Sequence, residues 1–284
     1  MIMKKKYFYT ILFFSSWSFG QEDLLKEIDT VQSKKSVEIS PPAFKALQIV
    51  TGQSTKLVSK NEWYIVIAHR FGDVSTGFKD FFGLDAASTK LGAIYGVTDG
   101  ISVSLSRETN MKTFELGAKY RLLQQSDHFP VDVVGYNVIA ANTQFSKDTY
   151  PNLRFSDRLS YLSQVLISRR VSDQFSVQLT PSYVHKNLYE PTIEGKNQFL
   201  TGLGGRYKIS KRVSVNAEYF VNYDNHSFYK NPLSLGMDVE TGGHIFQLVF
   251  SNSRLNSDIG YLTNVVGNWG KGNIYFGFNL YRVF

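Results

Sequence analysis

The last thirteen residues, Gly272–Phe284, read GNIYFGFNLYRVF and carry the pattern that decides the fold. Apolar side chains fall on alternate positions and an aromatic residue ends the stretch: Ile274, Phe276, Phe278, Leu280 and Phe284. Successive side chains of a β-strand point to opposite faces, so this pattern predicts a strand with one apolar and one polar face. What the apolar face contacts then distinguishes a soluble β-protein from a membrane-spanning one.

The same alternation recurs along the chain from Trp63 onward. It is clear in ISVSLS (101–106), FELGAKYRL (114–122) and VSVNAEYFV (213–221). We count about twelve such segments between Trp63 and the end of the sequence. The chain is therefore predicted to be all-β, with strands that are apolar on one side.

The length of the strands favours a membrane barrel. Phe114–Gln124, Leu159–Arg170 and Gln198–Ser210 each run to ten residues or more. A strand of a soluble protein has about 5–6 residues. A tilted strand that crosses a bilayer needs roughly 9–11 residues, which fits these segments.

Short and long connections alternate between the predicted strands. Tight turns at VTDG, VSDQ and ISKR alternate with longer polar links near residues 72–86, 142–157, 187–197 and 224–236. Short turns on one rim and long loops on the other are typical of outer-membrane barrels. The predicted fold is a single antiparallel transmembrane β-barrel of about 12 strands, of the outer-membrane type.

Two segments leave the strand count open. Val239–Phe250 is predicted as the tenth strand and Ile259–Val266 as the eleventh. The residues around the latter also fit a loop or a short helix. In that case an even number of strands requires Ala46–Leu57 to form one.

The first sixty residues are predicted to be exported without spanning the membrane. Residues 1–20 combine Lys4–Lys6, an apolar run and a small-residue end, which is typical of a cleaved secretory signal peptide. Residues 21–60 are predicted to be a periplasmic N-terminal extension, and residues 61–284 the transmembrane β-barrel. Ala46–Leu57 is alternatively an extra strand or lies inside the barrel. The predicted location is the cell outer membrane.

Composition narrows the function classes. The chain has 31 Lys+Arg and 24 Asp+Glu, and removal of Lys4–Lys6 with the signal peptide leaves 28 against 24. This small excess gives no support to nucleic-acid binding. The sequence has no cysteine, so a closed sheet or a large core must hold an exported chain together.

The final strand also has a predicted role in assembly. Phe276, Phe278, Leu280 and Phe284 resemble the C-terminal signal by which the barrel-assembly machinery recognises outer-membrane barrels. Arg282 departs from that pattern, because an aromatic or aliphatic residue is usual there. An arginine near the rim reaches the lipid headgroups with its charged end.

Four blocks of the sequence resemble a known family. They are IAHRFGD (67–73), FFGLDAAS (81–88), ETGGHIFQLVFSNS (240–253) and GNWGKGNIYFGFNLYRVF (267–284). They are similar to an uncharacterised outer-membrane β-barrel family of Bacteroidetes, described as a domain of unknown function. The resemblance implies an outer-membrane barrel and supplies no catalytic residues.

Charged residues alternate away from the apolar stripe and are predicted to point into the lumen. They are Lys90, Glu115, Lys119, Arg121, Arg170, Arg206, Lys208 and Glu218. They either pair across the lumen and plug it, or line a basic-leaning passage that favours a small anionic solute. About twelve strands lie between the filled eight-stranded barrels and the open barrels of sixteen or more, so both alternatives stay open.

The leading functional hypothesis is a narrow passive channel. The alternative is a barrel that binds a periplasmic partner protein through its loops or its N-terminal segment. A third hypothesis, a lipid-modifying enzyme, would use His244 or His69, with a serine such as Ser251 or one on a neighbouring strand as the partner of His244. No histidines have metal-ligand spacing and no nucleotide motif is present, so no catalytic residue, metal site or cofactor is predicted.

Overall fold

A computed structural model describes residues 39–224 and 228–284. In this part of the chain twelve strands, each antiparallel to its neighbours, close into a barrel in which the first strand pairs with the last. The predicted all-β antiparallel barrel is confirmed. The strands are β1 Trp63–Asp73, β2 Ala87–Thr98, β3 Ile101–Glu108, β4 Thr113–Leu123, β5 Asp132–Asn142, β6 Leu159–Arg170, β7 Phe175–Lys186, β8 Asn197–Lys208, β9 Val213–Asn222, β10 Leu233–Thr241, β11 His244–Ser251 and β12 Tyr275–Val283.

The inside and outside of the wall follow the sequence alternation. On β4, Leu116 is 58% exposed on the outer face, whereas Glu115 is 3% exposed on the inner face. Phe278 on β12 lies outward against the rings of His69 and Phe246. The outer face is therefore mainly apolar, whereas the inner face combines charged and polar groups such as Glu115 with apolar side chains such as Val134 and Val138 of β5.

The two rims of the barrel differ. Connections at one end, the short-turn rim, include residues 99–100, 171–174, 209–212 and 242–243, and the described chain both enters and leaves the barrel there. The opposite end, the long-loop rim, includes residues 143–158 and 252–274.

The predicted tenth strand, Val239–Phe250, is wrong as one element. It contains the end of β10, a two-residue turn and most of β11. Gly243 in this turn has a φ of 91°, a backbone conformation that glycine adopts without the steric cost of a side chain. The total of twelve strands is preserved because this region supplies two.

The predicted eleventh strand, Ile259–Val266, is also wrong. A short helix, α1 Asp258–Thr263, takes its place, and all six of its residues are buried. β11 pairs directly with β12, so the wall has no free edge at which this segment can pair. The helix supplies backbone hydrogen bonds within the segment instead. We call residues 252–267, which fold into the barrel from the long-loop rim, the inward loop.

Within the described ranges, no helix is long and apolar enough to cross a membrane.

Residues 41–58 lie inside the barrel, and we call them the lumen hairpin. Its tip is closed by backbone hydrogen bonds from Ile49 to Gly52 (2.8 Å) and from Ser54 to Leu47 (3.0 Å). At the short-turn rim the Lys60 amide donates to Asp99 in the turn between β2 and β3 (3.1 Å).

The lumen hairpin corrects the placement of residues 41–58 in a periplasmic extension. The reason is burial: Phe44, Val50 and Val58 are 2%, 0% and 0% exposed. For Ala46–Leu57 the second alternative holds: this segment lies inside the barrel and is not an extra strand of the wall. The predicted signal peptide, residues 1–20, and the rest of the extension, residues 21–38, lie outside the described residues.

Glycines on the inner wall make room for the lumen hairpin. A Cβ added at Gly204 on β8 would lie 2.5 Å from Cδ1 of Ile49. One added at Gly236 on β10 would lie 3.0 Å from Cγ1 of Val50. The two glycines therefore leave room on the inner wall for the side chains of Ile49 and Val50.

Candidate functional site

Glu218 on β9 binds the tip of the lumen hairpin. Its carboxylate accepts hydrogen bonds from the backbone amides of Thr51 (2.7 Å) and Gly52 (2.8 Å). The hydroxyl of Tyr261 in the inward loop donates to the same carboxylate oxygen at 2.8 Å. One buried charge of the wall therefore holds both segments that fill the lumen.

Lys119 on β4 binds the other side of the hairpin. Its ammonium donates to the carbonyl oxygens of Leu47 (2.9 Å), Ser54 (2.8 Å) and Lys56 (3.3 Å). It also lies 5.8 Å from the centre of the Tyr136 ring, within range of a cation–π interaction. All three ammonium protons have an acceptor.

Lys90 on β2 and Glu115 on β4 form a buried ion pair at 2.6 Å. Asp258 of α1 lies 3.8 Å from the same ammonium. The side-chain amide of Gln53 in the lumen hairpin donates to Asp258 at 2.9 Å. Through this bond the hairpin and the inward loop meet in the middle of the barrel.

The eight predicted lumen residues therefore fall into two groups. Four are buried and hold the filling segments: Lys90, Glu115, Lys119 and Glu218. Four are half-buried towards the short-turn rim: Arg121, Arg170, Arg206 and Lys208. A role of either group in selectivity remains a prediction.

Arg70 on β1 is an inner-wall residue that the sequence analysis missed. It is 1% exposed and donates to Asn279 Oδ1 (2.9 Å) and to Thr51 Oγ1 of the hairpin (3.1 Å). Strand alternation from Val66 and Ala68 gives its inward direction. The apolar run in which it lies gave no reason to expect a buried charge.

A cavity remains between the lumen hairpin and the wall formed by β1–β4, and we call it the wall cavity. Its volume is about 60 Å³, and Ser102, Ser104 and Ser106 line it together with charged residues. Asn256 lines it as well, is 1% exposed, and has no protein partner for either side-chain polar atom. Buried polar atoms of this kind are normally satisfied by water, and a volume of this size holds about four molecules.

A larger space opens at the short-turn rim, and we call it the vestibule. Its volume is about 590 Å³. The start of the lumen hairpin and the rim ends of several strands line it. Its charged side chains are Lys45, Lys56, Arg170, Asp173, Arg206, Lys208 and Glu240.

His244 and His69 give no support to a hydrolytic site with Ser251. His244 and Ser251 stand at opposite ends of β11, roughly 23 Å apart along the strand and on opposite faces. Ser251 hydrogen-bonds Ser234 (2.9 Å) inside the barrel. His69 lies on the outer face, stacked on Phe278 with 5.4 Å between ring centres.

Residues 44–284 match a protein family described as "Membrane bound beta barrel domain (DUF5777)". The chain belongs to this family. The predicted resemblance to a β-barrel family of unknown function is confirmed, whereas its bacterial group stays a prediction. The match begins at Phe44, so the DUF5777 domain includes most of the lumen hairpin. Comparison with curated proteins gives no match.

Solved structures of similar fold include a porin and an outer-membrane channel. The KdgM porin matches with a TM-score of 0.51 at 10% identity, covering 78% of this chain and 99% of the porin. The same porin in complex with disordered oligogalacturonate matches with a TM-score of 0.51 at 11% identity, with the same coverage. The COG4313 outer membrane channel from Pseudomonas putida F1 matches with a TM-score of 0.48 at 12% identity, covering 87% of this chain and all of the channel (100%). At these identities the likeness establishes the fold alone.

Proposed function

We propose that this protein is a narrow passive channel of the outer membrane. The observation that carries the proposal is the wall cavity, a polar space beside the lumen hairpin. It is bordered by serines and by Asn256, whose side chain has no protein partner. Water in the wall cavity would give small polar solutes a path through the barrel. The apolar residues of the hairpin would exclude larger solutes.

Several features support the membrane location and the solute class in this proposal. The family is a membrane-bound barrel, and the outer face is apolar. The KdgM porin has a carboxylate-bearing ligand, oligogalacturonate, and the vestibule here has more basic than acidic residues. A small anionic solute is the class that this charge favours.

The apolar outward residues of β12 support the assembly signal, and the Arg282 guanidinium packs over the Phe284 ring at 4.7 Å.

The test is the unitary conductance of the refolded full-length protein in a planar bilayer. We expect small, stable current steps. Ser104→Leu fills the wall cavity with apolar atoms and should lower the conductance by about half or more. The matched control is Val103→Leu, one residue away on the outer face of the same strand, which should leave the conductance unchanged.

Equal conductance of the two variants would show that ions do not use the wall cavity. A silent bilayer, from protein shown to be folded and inserted, would contradict the channel. The partner-binding barrel would then be the function to test.

A further inference from the structure

The charged side chains that line the vestibule are mainly basic. Five basic and two acidic side chains line it. Lys45 forms an ion pair with Glu240, and Arg170 forms one with Asp173 at 2.7 Å. Asp173 is 95% exposed, so water screens this second pair strongly.

Three basic groups of the vestibule have no carboxylate within 4.0 Å among residues 39–224 and 228–284: Lys56, Arg206 and Lys208. The Arg206 guanidinium donates to Ser214 Oγ (3.0 Å) and weakly to the Ala43 carbonyl (3.4 Å). Both are neutral oxygens, and the carboxylates of Asp238 and Glu240 act on the guanidinium only from beyond ion-pair distance.

Lys56 adds to this excess from inside the barrel. It lies in the lumen hairpin, and its side chain makes no ion pair within the described part of the chain. Burial lowers the pKa of its ammonium, Glu62 opposes that shift, and the positive charge of Arg121 adds to it. An incoming anion would relieve the crowding of these positive charges.

We propose that the vestibule binds a small organic anion with two or three carboxylate or phosphate groups, through Arg206, Lys208 and Lys56. The guanidinium offers a planar pair of donors suited to such a group, and the two ammonium groups bind as point charges. The site lies inside the wall, which favours a dissolved solute over a lipid headgroup. The inference rests on the proposed channel, for which it names the solute class.

The experiment is calorimetric titration of the full-length protein in detergent with citrate, a compact trianion. We expect saturable binding that weakens as salt is added. The double variant Arg206→Gln with Lys208→Gln should bind roughly tenfold more weakly or worse, as expected for the loss of charged hydrogen-bond donors. The matched control, Lys211→Gln with Arg212→Gln, removes the same charge from the exposed turn beside β8 and should bind as the wild type.

A second variant moves the affinity in the opposite direction. Glu240→Gln removes the carboxylate that pairs with Lys45, so it should tighten citrate binding several-fold. A misfolded protein would not give this gain. No citrate binding, or equal binding by the two double variants, would overturn the inference. Conductance steps that persist in either case would leave the proposed channel standing.

Discussion

The lumen hairpin and the inward loop both fill the barrel, but the wall holds them differently. Wall side chains bind the backbone of the hairpin: Lys119 at three carbonyls, and Glu218 at the amides of the tip. Wall carboxylates also bind two backbone amides of the inward loop, at Asn256 and Asp258, but this loop contains its own helix, whose Tyr261 and Asp258 side chains bind the wall as well. The hairpin depends on the wall for its conformation, whereas the loop brings part of its own structure.

This difference indicates which segment controls the free space. The hairpin has few hydrogen bonds of its own, so loss of its wall contacts leaves nothing to keep it folded. It also borders both the wall cavity and the vestibule. The hairpin should therefore govern permeation, and the inward loop should mainly affect stability.

The largest effect is expected from removing each segment in turn. Deletion of residues 39–60 should raise the unitary conductance several-fold, because a twelve-stranded barrel is wide enough to hold water when nothing fills it. Replacement of residues 252–267 by a short Gly-Ser linker should raise it less, because the hairpin still occupies the short-turn half. Single-channel recordings of both variants check the order. The reverse order would mean that the inward loop is the main constriction.

A smaller effect is expected from one wall contact of the hairpin. Lys119→Met leaves the carbonyls of Leu47 and Ser54 without their donor and should destabilise the filled barrel by roughly 3 kcal/mol. Urea unfolding in lipid vesicles measures the loss. Lys208→Met is the matched control, since the Lys208 side chain makes no hydrogen bond or ion pair within the described residues and its replacement should change stability by less than about 0.5 kcal/mol. Similar losses in both would show that Lys119 does not hold the hairpin.

The smallest effect is expected at Glu218, the wall residue that binds both segments. Tyr261→Phe removes the hydroxyl that donates to Glu218 and lies 3.0 Å from Ser234 Oγ. The Glu218 carboxylate still accepts hydrogen bonds from the hairpin amides in this variant. The free energy of unfolding should therefore fall by about 1 kcal/mol, and the conductance should not change. Urea unfolding and single-channel recording test both parts. A clear rise in conductance would instead couple the inward loop to the passage.

The wall could be predicted from the sequence because a strand's direction is a local property. Alternation places Glu115 and Lys119 on the inner face, opposite Leu116 on the outer face, without reference to the rest of the chain. Prediction from alternation failed where the local pattern is ambiguous. The turn at Gly242–Gly243 lies inside an apolar run, and α1 has a short apolar pattern that also fits a strand.

The filling of the lumen could not be predicted in the same way. The partners of the hairpin are distant in sequence: Glu218 binds Thr51 across 167 positions, and Lys119 binds Leu47 across 72. The hairpin itself has no regular alternation, because its residues are buried on all sides within the lumen. Inward charges were visible in the sequence, but the backbone groups that they bind were not.

One contact of the hairpin bears on how the protein is made. Gln48 accepts a hydrogen bond from Tyr281 on β12, and the Val50 carbonyl accepts one from Asn279 on the same strand (2.9 Å). Of the described residues, the segment synthesised first thus needs the strand synthesised last. A chain truncated before β12 would leave the hairpin without these partners and open to proteases. Filling of the lumen is then a late step of biogenesis, and a filled barrel marks a chain whose β12 is in place.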